Sequence, residues 1–510
     1  MTRREFLSTG VKLVALASVP TFLPLSPARI LAGPVEKGDL TAYLGLFQVD
    51  QELIRKVMAV ALEKGGDYCD LYFEHKISNW VGLQDDQVNR AYSTIDLGVG
   101  IRVIEGDQTG YSFTEEITPE AMLKAAKTAS NIANQGATPG PVEVKYRNLP
   151  DYYPTEVLWE TVGIEQKIPF IQELNQKLKD KDKRVIKTRV WYGDEAKHIL
   201  VANSEGQLVC DYLPMADLSA SCTAEQGERR EECWYTLAAR KGMEHFTPET
   251  MDRVAAETVQ RTVTLLDAIQ PEGGEMEVVL AAGSSGILLH EAIGHGMEAD
   301  FNRKNESIYS DSIGKPIAEP IVTIVDDGTV PSARGALNVD DEANGTEQTV
   351  LVENGILRSY MHDRISAKHY GVKPTGNGRR ESFRYMAIPR MRCTYMLPGP
   401  HEREEIIKSV KKGLYCESFT NGEVHIGPGD FTFYVKTGNL IEDGKLTRPI
   451  KDTNIIGNGP EVLRRVTMVG NDLAMDVGGG TCGKAGQGVP VSMGLPTAKV
   501  SAITVGGTAG

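Results

Sequence analysis

Leu288-Leu-His-Glu-Ala-Ile-Gly-His-Gly-Met-Glu-Ala-Asp300 sets His290 beside Glu291 and places His295 five residues after the first histidine, directly behind the apolar run that starts at Gly286. Imidazoles are the commonest zinc ligands, and a carboxylate next to a ligand can reach a metal-bound water without binding the metal itself. The stretch therefore reads as a hydrolytic zinc site. Its bland alternative is a buried, hydrogen-bonded histidine pair.

The spacing carries a geometric requirement. Histidines four apart share one face of an α-helix, whereas five apart they diverge by about 140° on a regular helix. They meet only if the helix is bent or widened between them, for instance by a π-type bulge. Gly294, one residue before His295, supplies the backbone freedom. In other zincins a carboxylate some way downstream completes the ligand set, which makes Glu298 and Asp300 rival ligands. His362, His369 and His425 read as surface or core histidines.

The wider stretch His290-Glu-Ala-Ile-Gly-His-Gly-Met-Glu-Ala-Asp-Phe-Asn-Arg303 resembles the active-site signature of the TldD/PmbA family of zinc metalloproteases, once called modulators of DNA gyrase. Asp326-Asp-Gly-Thr329, Gly376-Asn-Gly-Arg-Arg-Glu-Ser382, Thr394-Tyr-Met-Leu-Pro-Gly399, Met468-Val-Gly-Asn-Asp472, Cys482-Gly-Lys484 and Thr504-Val-Gly-Gly507 resemble the same family. In the amino-terminal half so do Asp70-Leu-Tyr-Phe-Glu74 and Gly98-Val-Gly-Ile-Arg-Val103. Because the histidine motif is intact, the resemblance is to the catalytic TldD branch rather than to the TldE/PmbA partner branch.

That resemblance implies Zn2+ held by His290, His295 and Cys482, with Glu291 as the base that activates the metal-bound water. It further implies a dimer, with itself or with a TldE/PmbA-like subunit, that cleaves unfolded or flexible peptides in an enclosed cleft. Two other readings remain: a non-catalytic peptide-binding subunit with structural zinc, and a zinc hydrolase of another amide bond. Arg379 and Arg380, in a flexible-looking loop, are candidates for holding a substrate carboxylate or the developing oxyanion, against the alternative of ordinary salt bridges.

The chain of 510 residues calls for two or three domains. A formal net charge of −14 and the absence of a basic stripe argue against a nucleic-acid surface. Seven cysteines, at 69, 210, 222, 233, 393, 416 and 482, are odd in number and show no paired spacing, so no disulfide framework is expected.

Met1-Thr-Arg-Arg-Glu-Phe-Leu7, followed by an apolar run from Val14 to Leu25, has the form of a twin-arginine export signal spanning 1–32. A periplasmic location follows, with a cytoplasmic one as the alternative. The run is too short for a permanent membrane span.

The fold expected is α+β: an amino-terminal α+β domain over 40–270, broken near 136–141, then a strand-rich catalytic domain over 271–510 that carries the metal helix. Helices are expected over Gln51 to Lys64, Glu120 to Asn134, Ile164 to Lys179 with a break at Pro169, and Pro248 to Ile269. Strands are expected over Tyr68 to His75, Trp80 to Gln84, Ala91 to Ile104, Thr109 to Phe113, Val185 to Tyr192, His198 to Ser204, Gln207 to Leu213 and Ala216 to Thr223. In the second half they are expected over Glu275 to Leu280, Ile321 to Val325, Thr349 to Glu353, Tyr385 to Cys393, Gly422 to Ile426, Phe431 to Leu440 and Ala498 to Val505.

Overall fold

The computed structural model describes residue 35 and residues 37–133 and 142–507. The export segment, the link near 136–141 and Asn134 lie outside the described residues. None of the described helices is long and apolar enough to cross a membrane.

The amino-terminal half opens with helices α1 (Leu40–Phe47) and α2 (Gln51–Ala61), the second capped by the Asp50 side chain accepting from Leu53 N. Strands β1 (Tyr68–Gln84), β2 (Gln87–Glu105) and β3 (Gln108–Thr114) follow, and then helix α3 (Pro119–Ala129). Next come β4 (Lys145–Tyr146), α4 (Ile164–Lys181), β5 (Val185–Asn203), β6 (Gln207–Gln226), β7 (Arg229–Ala239) and α5 (Pro248–Leu265). The strands form one sheet in the order β3-β2-β1-β5-β6-β4, with β7 also on β6. Helix and sheet are thus mixed, as an α+β domain requires.

Several strands expected to be short are long and continuous. Polar residues at Ser78-Asn79 and at Gly193-Asp194-Glu195 read as breaks in the sequence, yet in the register they face one another. Asn79 donates to Asp194 at 2.8 Å, Ser78 to Glu195 at 3.3 Å, and Lys167 of α4 neutralises Asp194 at 2.6 Å. Pro214 falls where β6 has only β5 beside it, between the stretches paired with β4 and β7, so its missing N–H interrupts no ladder on that edge. Helix α4 likewise runs unbroken through Pro169, near its start, at the cost of one intrahelical hydrogen bond. Strand β7 was not anticipated.

One face of this sheet buries Val81, Val190, Tyr192, Leu218 and Leu237 beneath α4 and α5. On the other, Tyr72, Ile199 and Val201 pack against Leu337, Val339 and Phe383 of the second half. Buried charges cross the same boundary: Arg102 bonds Asp70 through Nε at 2.7 Å and Glu342 through Nη2 at 2.7 Å, while Arg380 Nη2 reaches Asp70 at 3.1 Å.

The second half holds two further sheets. One comprises β9 (Ile324–Asp327), β10 (Gln348–Glu353), β11 (Ile356–Leu357), β14 (Cys393–Met396), β20 (Ala474–Met475), β21 (Gly480–Lys484) and β22 (Gln487–Leu495). A two-residue ribbon, β12 (Gly378–Arg379) with β13 (Ile388–Pro389), stands beside it. The other comprises β8 (Gly274–Leu280), β15 (Lys412–His425), β16 (Asp430–Glu442), β17 (Lys445–Ile450), β18 (Thr453–Asn458), β19 (Val466–Val469) and β23 (Ala498–Gly507). Because β15 pairs with both β8 and β16, the strands β15-β8-β23-β18-β16 close into a ring. The apolar turns around His290 are buried with both sheets, Leu289 and Ile293 packing with Ile324 and Val352 of one and Val278, Phe433 and Val500 of the other.

Candidate metal centre

The motif is wound in three gauges. Ile287–Leu289 is α-helical, His290–Gly294 is a π-helix and His295–Met297 is a 3-10 turn. The wide π turn supplies the rotation that five-residue spacing needs. The sequence enforces it through close approaches at two glycines. A Cβ at Gly294 would lie 2.0 Å from Met391 Sδ, and one at Gly286 would lie 2.6 Å from the Gly494 backbone on β22.

Cys482 arrives from the opposite direction, on the hairpin β21–β22. Its two-residue turn, Ala485-Gly486, has positive φ at both positions, the geometry that matches hairpin twist. The ligand-capable atoms of His290, His295 and Cys482 all lie within 4.8 Å of one another, and Cys482 Sγ stands 3.4 Å from His295 Nε2. The two rings are 5.1 Å apart and nearly perpendicular. Ligand atoms of a tetrahedral zinc are separated by roughly 3.3–3.6 Å, so this S···N contact matches.

The electrostatics fit the same donor set. Burial alone would push the Cys482 thiol up, but the His290 and His295 rings outweigh it and bring it down to about 5. Burial would lower His295, yet the Glu298 carboxylate and Cys482 hold its pKa well above the ordinary histidine value. His290 Nδ1 is buried with no hydrogen-bond partner. Two imidazoles and a ready thiolate, converging with one buried nitrogen unsatisfied, suit a borderline-soft divalent ion such as zinc.

Glu298 and Asp300, the rival ligands, stand behind the site. Glu298 Oε2 receives His295 Nδ1 at 3.0 Å and Lys484 Nζ at 3.1 Å, and Lys484 also holds Asp300 at 2.6 Å. Burial would raise the Glu298 carboxyl; Lys484, His295 and Arg390 bring it down to about 2. Lys484 and Arg390 escaped the sequence reading. Lys484 was readable in principle, since it lies two residues after Cys482 on a strand and so points to the same side. Arg390 bonds the Cys482 carbonyl and sits 3.8 Å from Glu298, bracing both arms of the site, a role that only the tertiary fold reveals.

Glu291 lines a cavity of about 500 Å³ together with His290, His295 and Cys482. Arg379 and Arg380, the candidates for meeting substrate, do not line it. Both are buried: Arg379 donates to the Met391 and Pro490 carbonyls, and Arg380 to Asp70 and the Asp341 carbonyl. The loop's glycines suggested mobility, whereas Arg379 braces the second half from within and Arg380 ties it to the first.

Known proteins resemble the chain along most of its length. Residues 273–507 match the PmbA/TldA metallopeptidase C-terminal domain, 158–266 its central domain and 69–133 its domain 1. A metalloprotease TldD homolog of Haemophilus influenzae is 38% identical over 451 residues, covering 87% of this chain and 93% of that protein. A zinc metalloprotease TldD homolog of Saccharolobus solfataricus is 30% identical over 455 residues, covering 89% and 99%. The crystal structure of TldE from Thermococcus kodakarensis superposes with a TM-score of 0.70 at 18% identity, over 89% of this chain and 99% of that one, which shows a shared fold. With its fold, its histidine motif and nine-tenths of a curated relative's length accounted for, the chain belongs to the PmbA/TldD family of metallopeptidases, on the TldD side.

Proposed function

We propose that the chain is a zinc-dependent peptidase acting on unfolded or flexible peptides, with His290, His295 and Cys482 as metal ligands and Glu291 as general base. The observation that carries this reading is the convergence of the three donors across a π turn, with Glu291 beside them on an accessible cavity. A zinc ion held there supplies a Lewis acid that acidifies water and polarises a peptide carbonyl.

The chain's own groups do the rest. Glu298 accepts the His295 Nδ1 proton and so fixes the tautomer that leaves Nε2 free toward Cys482. Glu291 takes a proton from the attacking water and returns it to the leaving amine. Three protein ligands leave a position open for reaction, as in catalytic rather than structural zinc sites. The thiolate donates charge and tempers Lewis acidity, so a slow peptidase is proposed rather than a digestive one.

The relatives' names support zinc and the TldD assignment, and the fold shared with a TldE supports a paired subunit, homodimeric or with a TldE-like chain. Export through the twin-arginine segment is part of the same proposal and rests on residues 1–32 alone. Metal content and casein cleavage, measured for the wild type and Glu291→Ala, test the core of it. About one zinc in both with cleavage only by the wild type supports the assignment; equal cleavage by both removes Glu291 as base.

A further inference from the structure

A second and larger cavity, of about 800 Å³, adjoins the metal cavity. No residue lines both, but three chain segments run from one to the other. Strand β15 lines the larger one with Glu417 to Phe419 and the metal one with Gly422 to Val424. The segment of Gly478 to Gly480 lines the larger, and its continuation, Thr481 to Ala485, the metal one. Ile287 faces the larger, and His290, one turn on, the metal. The two cavities thus follow one another along the same segments, and β15 from residue 417 to 423 spans roughly 20 Å, enough for about six residues of extended peptide.

The charges in the larger end do not balance. Its two arginines are engaged locally: Arg261 pairs with Glu257 at 3.4 Å and lies over the Tyr235 ring, and Arg253 bonds the Tyr235 hydroxyl. The two remaining carboxylates, Asp476 and Glu417, have no ion-pair partner among the described residues. Asp476 accepts from the N–H groups of Gly478 and Gly479, and burial still pushes its carboxyl up to about 6 although Arg261 and Arg334 oppose it without forming an ion pair. Burial raises Glu417 as well, with Arg261 and Arg403 opposing only from a distance. Asp476 is half-buried and Glu417 stands open on the cavity wall, and carboxylates without an ion-pair partner on an accessible cavity favour a cation that can enter.

We infer that this second cavity is a subsite of the peptide groove that receives a cationic group of the substrate, an ammonium or guanidinium, against Asp476 and Glu417. The inference rests on the peptidase reading above and adds a substrate preference to it. The cation can be a basic side chain or the peptide's own amino terminus. Both present the same chemistry, and suitable peptides separate them.

Three unstructured decapeptides of otherwise equal sequence serve: one acetylated with norleucine at alternate positions, one acetylated with lysine there, and one with norleucine and a free amino terminus. Initial rates are measured with the zinc-loaded chain, and affinities by fluorescence anisotropy with Glu291→Ala. A preference of at least about tenfold for one cationic peptide over the neutral one is expected, and which peptide it is identifies the source. Asp476→Asn keeps the side-chain oxygen that accepts from the glycine turn and removes the charge; with Glu417→Gln as a second variant, each is expected to bring the cationic-to-neutral ratio toward one. Equal handling of all three peptides by the wild type overturns the subsite and leaves the peptidase reading standing. A preference that survives both substitutions places the cation elsewhere and also overturns it. Neither binding nor cleavage of any of the three overturns both readings.

Discussion

His295 and Glu298, three residues apart across the 3-10 turn that follows the π turn, are joined by a 3.0 Å hydrogen bond from imidazole Nδ1 to carboxylate Oε2, and Lys484, two residues beyond Cys482, closes on the same oxygen at 3.1 Å. The carboxylate that orients one proposed ligand is thereby tied to the strand that brings another. Zinc affinity should depend on this link. Glu298→Gln is expected to weaken zinc binding by about 10- to 100-fold, read by competition with a chromogenic chelator. Lys484→Met should weaken it as well, with partial recovery in Lys484→Arg. Unchanged affinity in all three would mean that the link is only structural.

Zinc removal should expose one thiol of distinctive reactivity. The two histidines bring Cys482 down to about 5, whereas burial pushes up the other six cysteines, Cys210 and Cys222 to about 11. In the metal-free protein at pH 6.5, iodoacetamide should label Cys482 first, as read by peptide mass spectrometry. The rate should fall as pH drops through about 5, where the thiolate is lost. Zinc should protect it.

Gly294→Ala tests the packing that shapes the π turn. Its Cβ would meet Met391 Sδ at 2.0 Å, an overlap that forces the turn or the sulfur to move. A loss of about 1–3 kcal/mol in unfolding free energy is expected, together with reduced zinc stoichiometry. Adding Met391→Ala should recover part of both. Additive losses in the double variant would argue against direct contact.

The buried acids at the boundary between the halves predict how stability varies with pH. Burial and the neighbouring Glu342 raise Asp340 to about 7 and Asp363 to about 6, while Arg102 pairs with Glu342 at 2.7 Å. A raised folded-state pKa stabilises fully below the unfolded value near 4 and is lost as pH climbs through the folded one. The melting temperature should therefore fall between pH 5 and pH 8, and Asp340→Asn should flatten the slope. Differential scanning calorimetry with zinc held in excess reads both.

Where local chemistry speaks, the sequence was informative. His290, Glu291 and His295 were singled out by type and spacing, and the spacing called for a bent or widened helix, which the structure supplies as a π turn. Cys482 did not. Its pairing with two histidines some 190 residues away depends on a hairpin laid across the domain, and only the resemblance to a family pointed to it. Strand limits failed where polar residues are satisfied across strands, as with Asn79 and Asp194, because a sequence shows the polar residue and hides its partner. For Arg379 and Arg380 the salt-bridge alternative prevailed for the same reason: two guanidiniums beside glycines look like a mobile anion trap until Asp70 and three carbonyls are seen to claim them.

The hairpin that carries Cys482 also acts as a clock. His295 and Cys482 are separated by 187 positions, which a ribosome covers in roughly 10–40 s. Throughout that interval the growing chain holds both histidines and the adjacent glutamate but lacks the sulfur that completes the set. On the proposed reading, a peptidase of unstructured polypeptide is most exposed to its own siblings while they are still being made, and this topology postpones its competence until all but the last two strands have been synthesised.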